Sequence, residues 1–299
     1  IYTTRYPVPS ADPAALVRRA LEQPHGAPPL SAALQTRRAG MVVLAVADIT
    51  RPVPYPTFLP DVLARIEAAG VARNDILLLI ATGMHRASTP EERRRIFGPA
   101  IVDTYRILDH DAHDARQLAR VPGTNPPIFI NKHFVEAGFR MVCGLVEPHF
   151  MAGFSGARKM VCPGLAAFDA IRRFHSYEFL AHPRSTTGTL TGNPCHEEAL
   201  DVARCVGVDF VLDVVINRER RIVQAFAGAL DAAHTAACTL VKACACPTVV
   251  RPADVVVTSS GGHPLDATFY QCVKGFVGCL PAVKRGGTII AFGSCDEGI

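Results

Sequence analysis

The sequence predicts an α/β protein of two domains, each with a mainly parallel or mixed sheet flanked by helices. Three observations predict it. Continuous apolar runs of strand length alternate with segments of helical spacing, as layered α/β folds require. The 299 residues are 49% hydrophobic and 19% charged, enough to bury a sizeable core. The alternation then restarts after a proline-flanked segment, so a first domain is expected over 1–247 and the start of a second over 248–299. About fifty residues are few for an independent core. With Ile1 in place of an initiator Met, the sequence reads as a piece of a longer chain whose second domain is incomplete.

The elements follow in order. Met41–Ala47 is a fully buried strand ending at Asp48. Pro60–Ala69 has helical spacing and closes at Gly70, and Asp75–Ala81 is the next strand. Thr89–Pro90–Glu91–Glu92 supplies an N-cap, a proline in the first turn and acids beside it, opening a helix that ends near Gly98. Phe139–Val146 is a strand running into Glu147–Pro148–His149. Asp209–Asn217 and Arg221–Ala225 read as an antiparallel hairpin, and Ala229–Cys244 as an alanine-rich helix. Beyond the boundary, Asp254–Ser259, Asp266–Leu280 and Thr288–Phe292 form a strand–helix–strand unit.

Composition narrows the function classes. No stretch approaches the ~18 consecutive apolar residues of a membrane helix, and the opening segment lacks a basic-then-apolar leader, so a cytoplasmic protein is expected. Net charge is +4, from 31 basic and 27 acidic residues, and arginines such as Arg93–Arg94–Arg95 follow acids; no nucleic-acid footprint is expected. Ten cysteines lie at irregular spacings without a CxxC pair, and Cys244-x-Cys246 is too close for a zinc half-site, so reduced buried thiols are expected.

Unusual polar residues gather where strands end. In open α/β sheets ligands bind outside the carboxyl ends of strands. Asp48–Ile49–Thr50–Arg51, Thr82–Gly83–Met84–His85–Arg86 and Glu147–Pro148–His149 each put titratable groups immediately after an apolar run. Singly, an aspartate before Pro52 could cap a turn and a lone histidine could be structural. Three such exits together point to a site. Gly153–Phe154–Ser155–Gly156, followed by Ala157–Arg158–Lys159, is a small-residue turn with two cations, suited to a phosphate but not spaced as a Walker A loop. Asp109–His110–Asp111 with His113 and Asp114 carries zinc-type ligands, although such runs are mostly polar loops. Gly192–Asn193–Pro194 reads as a turn and helix start, and Gln271 and Lys274 share a helix face.

In order, these pieces resemble the nickel-pincer lactate racemases and related 2-hydroxyacid racemases and epimerases. The matching stretches are Asp48 to Pro54, Thr82 to Arg86, Glu147 to Lys159, His175, Gly192 to Pro194, and Gly261 to Asp266 with Tyr270 to Gly275. The resemblance implies an isomerase with its active site in the interdomain cleft. It implies a nickel-pincer nucleotide, the nickel complex of pyridinium-3-thioamide-5-thiocarboxylic acid mononucleotide, built by cofactor-maturation enzymes. Lys159 would carry that group covalently and His175 would ligate Ni. His85 and His149 would be the acid/base pair. Asp48, Tyr270 and the turn Gly153, Phe154, Ser155 and Gly156 would lie against the cofactor; Arg51, Gln271 and Lys274 would bind a small 2-hydroxyacid. Ala157 and Arg158 depart from the family's commonest form, in which a second glycine and often a small residue precede the lysine.

Such chemistry has a physical rationale. Removing the C–H hydrogen of a hydroxyacid as a proton would place a second negative charge beside a carboxylate, whereas removing it with its electron pair leaves a neutral ketone. The cofactor carries that step, and the protein must handle the hydroxyl proton on either face, a task for two histidines whose ordinary pKa is ~6.5. Two other readings remain open at this point. One is a zinc-dependent hydrolase using His85, His110 and His113 with Asp48 or Asp109. The other is a non-catalytic nucleotide-binding homologue.

Overall fold

Apolar runs become parallel strands because residues buried on both faces need no polar alternation. The computed structural model describes residues 3–9, 12–262, 266–296 and 298; the side chain of Tyr270 and the matched segment 263–265 lie outside the described residues. Along the chain the strands are β1 (Val42–Ala47), β2 (Ile76–Ala81), β3 (Arg106–Asp109), β4 (Leu118–Arg120), β5 (Phe129–Asn131) and β6 (Phe139–Leu145). They continue with β7 (Pro148–His149), β8 (Gly153–Phe154), β9 (Phe210–Ile216), β10 (Ile222–Gly228), β11 (Ala253–Ser259) and β12 (Val283–Phe292). Arg5–Ala245 forms one compact unit, and the chain from Cys246 belongs to another.

The larger unit holds a six-stranded sheet in the order β10-β9-β6-β1-β2-β3. β3, β2, β1, β6 and β9 run parallel, and β10 returns antiparallel as the expected hairpin. From β1 the chain winds outward through β2 to β3; from β6 it winds the other way to β9 and β10. The strand order therefore reverses between β1 and β6, the place where such sheets leave a crevice at their carboxyl ends.

Alternation along the strands builds two cores. Val42, Leu44 and Val46 face one layer with Ile76, Leu78, Ile80, Met141 and Leu212, under the helix Tyr55–Ala68. Val43, Ala45, Leu77, Leu79, Val142 and Val211 face the opposite layer, which contains the buried sides of helices Phe168–Phe174, Pro194–Val206 and Leu230–Ala245.

The helix expected to open at Pro60 instead opens at Tyr55 and carries Pro60 inside it. Burial of Tyr55, Phe58 and Leu59 overrides the proline as a start signal. The Tyr55 hydroxyl accepts from Ala47 N at 2.6 Å and donates to Cys143 O at 2.7 Å. It thereby satisfies backbone groups where β1 and β6 part. The Thr89 capping box forms as expected, with the helix Pro90–Phe97 stopping at Gly98. Helix Pro13–Glu22 and strand β3 were not signalled: one is a short amphipathic segment behind a single Asp12 cap, the other only four residues.

In the smaller unit, β11 and β12 pair in parallel around helix Phe269–Cys279, the expected strand–helix–strand arrangement. β12 starts at Val283 rather than Thr288, because Lys284–Arg285–Gly286–Gly287 hid the strand signal and a register shift accommodates it.

Candidate active site

β1, β2 and β6 are neighbours and parallel, so the three polar exits emerge on one side of the sheet. Asp48 follows β1 and is buried. Burial pushes its carboxyl up, but hydrogen bonds from His85 and Thr50, with the charges of His85 and Arg51, hold it below the ordinary 3.8. An ionised carboxylate only accepts. Hence the His85 Nδ1–H donates to Asp48 Oδ2 at 2.6 Å, which makes Nε2 the unprotonated nitrogen of this half-exposed ring in its neutral form. Asp48 was expected against the cofactor; its carboxylate pairs with His85 and with the Thr50 hydroxyl at 2.6 Å.

Glu147 and His149 leave β6. The Arg51 guanidinium donates to Glu147 Oε1 at 2.8 Å, drawing the β1 and β6 exits together. Sequence reasoning gave Glu147 no role; an acid two residues before a histidine expected to act as acid/base was the available signal. His149 Nδ1 accepts from the amides of Met151, at 3.3 Å, and Ala152, at 3.2 Å. These donors assign the neutral ring proton to Nε2, which lies 3.2 Å from Lys159 Nζ. Burial, then the charges of Arg51 and Arg158, push the Lys159 amine well below its ordinary 10.5. The Phe174 ring centroid lies 5.1 Å from Nζ.

His175 follows Phe174 at the end of helix Phe168–Phe174. Its Nδ1–H donates to Ile171 O at 2.8 Å, leaving Nε2 as an acceptor. Burial, and less strongly the neighbouring Lys159 charge, lowers its pKa and keeps the ring neutral. Asp48, Arg51, His85, His149, Lys159 and His175 therefore form one connected set in the larger unit. Gln271 and Lys274 sit three apart on helix Phe269–Cys279 of the smaller unit, as does Tyr270.

The turn after His149 was expected to hold the cofactor phosphate, and three of its amides have partners within the chain. The amides of Phe154, Ser155 and Ala157 bond to Ala152 O, Glu147 O and Asp213 Oδ1, so they are not offered to a ligand. Arg158, expected to add surface charge, is fully buried. Packing decided this: a Cβ at Gly153 would come within 2.1 Å of Thr189 O, and one at Gly156 within 2.6 Å of Val146 Cγ2. Asn193, read only as a helix start, caps Pro194–Val206 and also donates to Met151 O at 2.8 Å, steadying the His149 loop.

The 109–114 run is structural. Asp109 pairs with Arg93, His110 Nε2 bonds to Ala166 O at 2.9 Å, His113 lies against the Phe168 ring, and Asp114 pairs with Arg116. Among the described residues no group of three His, Cys, Asp or Glu side chains could hold a metal by itself.

Residues 1–188 match the lactate racemase N-terminal domain, and residues 249–299 match the lactate racemase C-terminal domain. The chain belongs to the lactate racemase family. It is 38% identical to the lactate racemase of Thermoanaerobacterium thermosaccharolyticum over 286 residues, covering 95% of this chain and 66% of that protein. Identity to the lactate racemase of Lactiplantibacillus plantarum is 34% over 285 residues, covering 94% of this chain and 66% of that protein. The chain thus spans just under two thirds of the length of these family members. The structure of the T. thermosaccharolyticum lactate racemase apoprotein superposes with a TM-score of 0.92 at 36% identity, covering 98% of this chain and 69% of that one. A Thermotoga maritima protein shares the fold at 21% identity, with a TM-score of 0.62 over 86% of this chain and 64% of that one.

Two predictions arise from this geometry. Asp48→Asn removes the charge that holds the His85 proton on Nδ1 and is expected to lower kcat about 10- to 100-fold, with circular dichroism unchanged; a wild-type kcat contradicts the pairing. The second concerns acid. Burial lowers the pKa of His110, His133, His175, His196 and His234 below 6.5, with His196 at about 4. Below pH 6.5 the unfolded chain gains protons on these rings that the folded chain refuses, so stability falls with acidification. Asp213, raised to about 7 by burial, opposes this, since the folded state keeps a proton that the unfolded chain loses above 3.8. The rings outnumber that carboxyl. The urea midpoint is expected to drop between pH 7 and 5, and a constant or rising midpoint contradicts the assignment.

Proposed function

We propose that the protein containing this chain is an isomerase that inverts the 2-carbon of a small 2-hydroxyacid. Membership of the lactate racemase family makes lactate the first substrate to test. The observation that supports the reading best is the opposite setting of two imidazoles on neighbouring strand exits. His85 offers an Nε2 lone pair because Asp48 holds its Nδ1–H; His149 offers Nε2–H because two amides occupy Nδ1. Inversion through a ketone needs a proton taken from the substrate oxygen in one half and given back in the other. His85 takes the hydroxyl proton and becomes an imidazolium, a protonated His149 returns one to the oxygen and becomes neutral, and the opposite enantiomer exchanges these roles.

The residues present fit the group that the resemblance implies. Lys159 is a half-buried amine with a depressed pKa, suited to a covalent link, and His175 has a pKa lowered below 6.5 with Nε2 unclaimed by Ile171. Lys159 would hold the nickel-pincer nucleotide and His175 its nickel. When bound, that group supplies an acceptor for the substrate hydrogen together with its electron pair. Arg51, with its fork oriented by Glu147, would bind the substrate carboxylate. A zinc hydrolase is not favoured, because His110 and Asp109 are engaged within the structure.

The test uses the full-length protein produced together with the cofactor-maturation enzymes. Enantiopure lactate and a panel of longer 2-hydroxyacids are incubated and resolved by chiral chromatography, alongside intact mass and nickel analysis. Loss of enantiomeric excess for at least one acid, with an adduct and nickel present, is expected. An adduct-free, nickel-free protein that leaves every acid unchanged overturns the reading.

A further inference from the structure

Arg158 stands beside Lys159 in sequence but points the other way, fully buried. Its Nη2 donates to Ala152 O at 2.8 Å and Phe154 O at 2.9 Å, and its Nη1 to Ser155 O at 2.9 Å. Nη1 also meets His234 Nε2 at 2.6 Å, and Nε donates to His196 Nδ1 at 3.0 Å. Every nitrogen of the guanidinium is engaged, and none of these partners is a carboxylate. Burying a cation against neutral groups is costly, which is why its pKa falls to about 10. The same segment holds a second costly feature: Ala157, between Gly156 and Arg158, has φ 36, a left-handed conformation that favours glycine. Features of this kind persist where the surrounding structure over-determines them.

The carbonyls that Arg158 grips belong to the loop that fixes His149. Ala152 receives Arg158 at its oxygen and donates its own N–H to His149 Nδ1; His149 Nε2 then meets Lys159 Nζ. Arg158 thus closes a ring of contacts from one reactive side chain to the other. We infer that Arg158 is a positioning residue: by clamping the carbonyls of Ala152, Phe154 and Ser155 it keeps the amides of residues 151 and 152 on His149 Nδ1, and so sets the proton on Nε2. A carboxylate or a lysine in its place could not bridge several carbonyls with one rigid, planar fork. The inference takes from the proposed function only that His149 and Lys159 are the reactive groups.

The experiment uses full-length protein, free of cofactor, with ¹⁵N-labelled histidine; the His149 ring signals are assigned by their loss in His149→Asn. Wild type is expected to show one tautomer, protonated on Nε2 and unprotonated on Nδ1. In Arg158→Gln that pattern is expected to give way to a mixture of both tautomers, and in Arg158→Lys to a smaller admixture, both proteins retaining wild-type circular dichroism. In matured enzyme the same variants are expected to lose kcat about 10- to 100-fold with KM changed far less. Folded variants with an unaltered His149 tautomer overturn the inference. Failure of both variants to fold also overturns it, by assigning Arg158 to stability alone. Because the tautomer is read without turnover, its outcome is separate from whether the protein racemises anything.

Discussion

Replacing Lys159 with alanine is expected to abolish the covalent adduct on the matured protein, seen as an intact mass equal to the polypeptide alone. The amine is half-buried beside Phe174, and desolvation with the Arg51 and Arg158 charges pushes its pKa well below the ordinary 10.5, which favours the unprotonated form. An unprotonated amine can be acylated, whereas an ammonium cannot. Alanine removes the nucleophile, and the loss of a desolvated amine carries little structural penalty. Lys159→Arg should also show no adduct, because a guanidinium stays charged. Racemisation should fall by about 10³-fold or more, the scale on which loss of a covalent participant is felt. An undiminished adduct in Lys159→Ala would place the link elsewhere.

His149→Asn and His85→Asn should each lower kcat by about 10²–10⁴-fold, the usual worth of a positioned acid or base. Adduct and nickel should stay at wild-type levels, since neither ring is the assigned metal ligand. If the two rings serve one proton cycle, the double variant should be no slower than the worse single variant, because groups acting as a unit are not additive. Independent, multiplicative losses in the double variant would sink the paired assignment. The contrast with Lys159→Ala is diagnostic: there the adduct goes first and activity follows.

Much of this could be read from residues alone. Runs such as Val42–Ala47 and Phe139–Leu145 carry their strand identity in unbroken hydrophobicity, because a central parallel strand is buried on both faces. Asp48, His85 and His149 were legible because a titratable group directly after such a run has few structural reasons to be there. Arg158 was not legible. A basic residue in a small-residue turn looks like a surface cation, and only packing against His196, His234 and three or more loop carbonyls turns it inward. The close approaches of the glycines at 153–156 to Thr189 and Val146 were not legible either, because they too depend on packing.

Local sequence by itself determined the strands, the capped helices and the candidate reactive side chains, because apolar period and capping chemistry act over a few residues. The tertiary structure alone decided which nitrogen of each imidazole carries the proton. That choice depends on an aspartate 37 residues from His85 and on loop amides clamped by a buried arginine. Hydrogen-bond partners of this kind are set by strand order and packing, which no short stretch of sequence encodes.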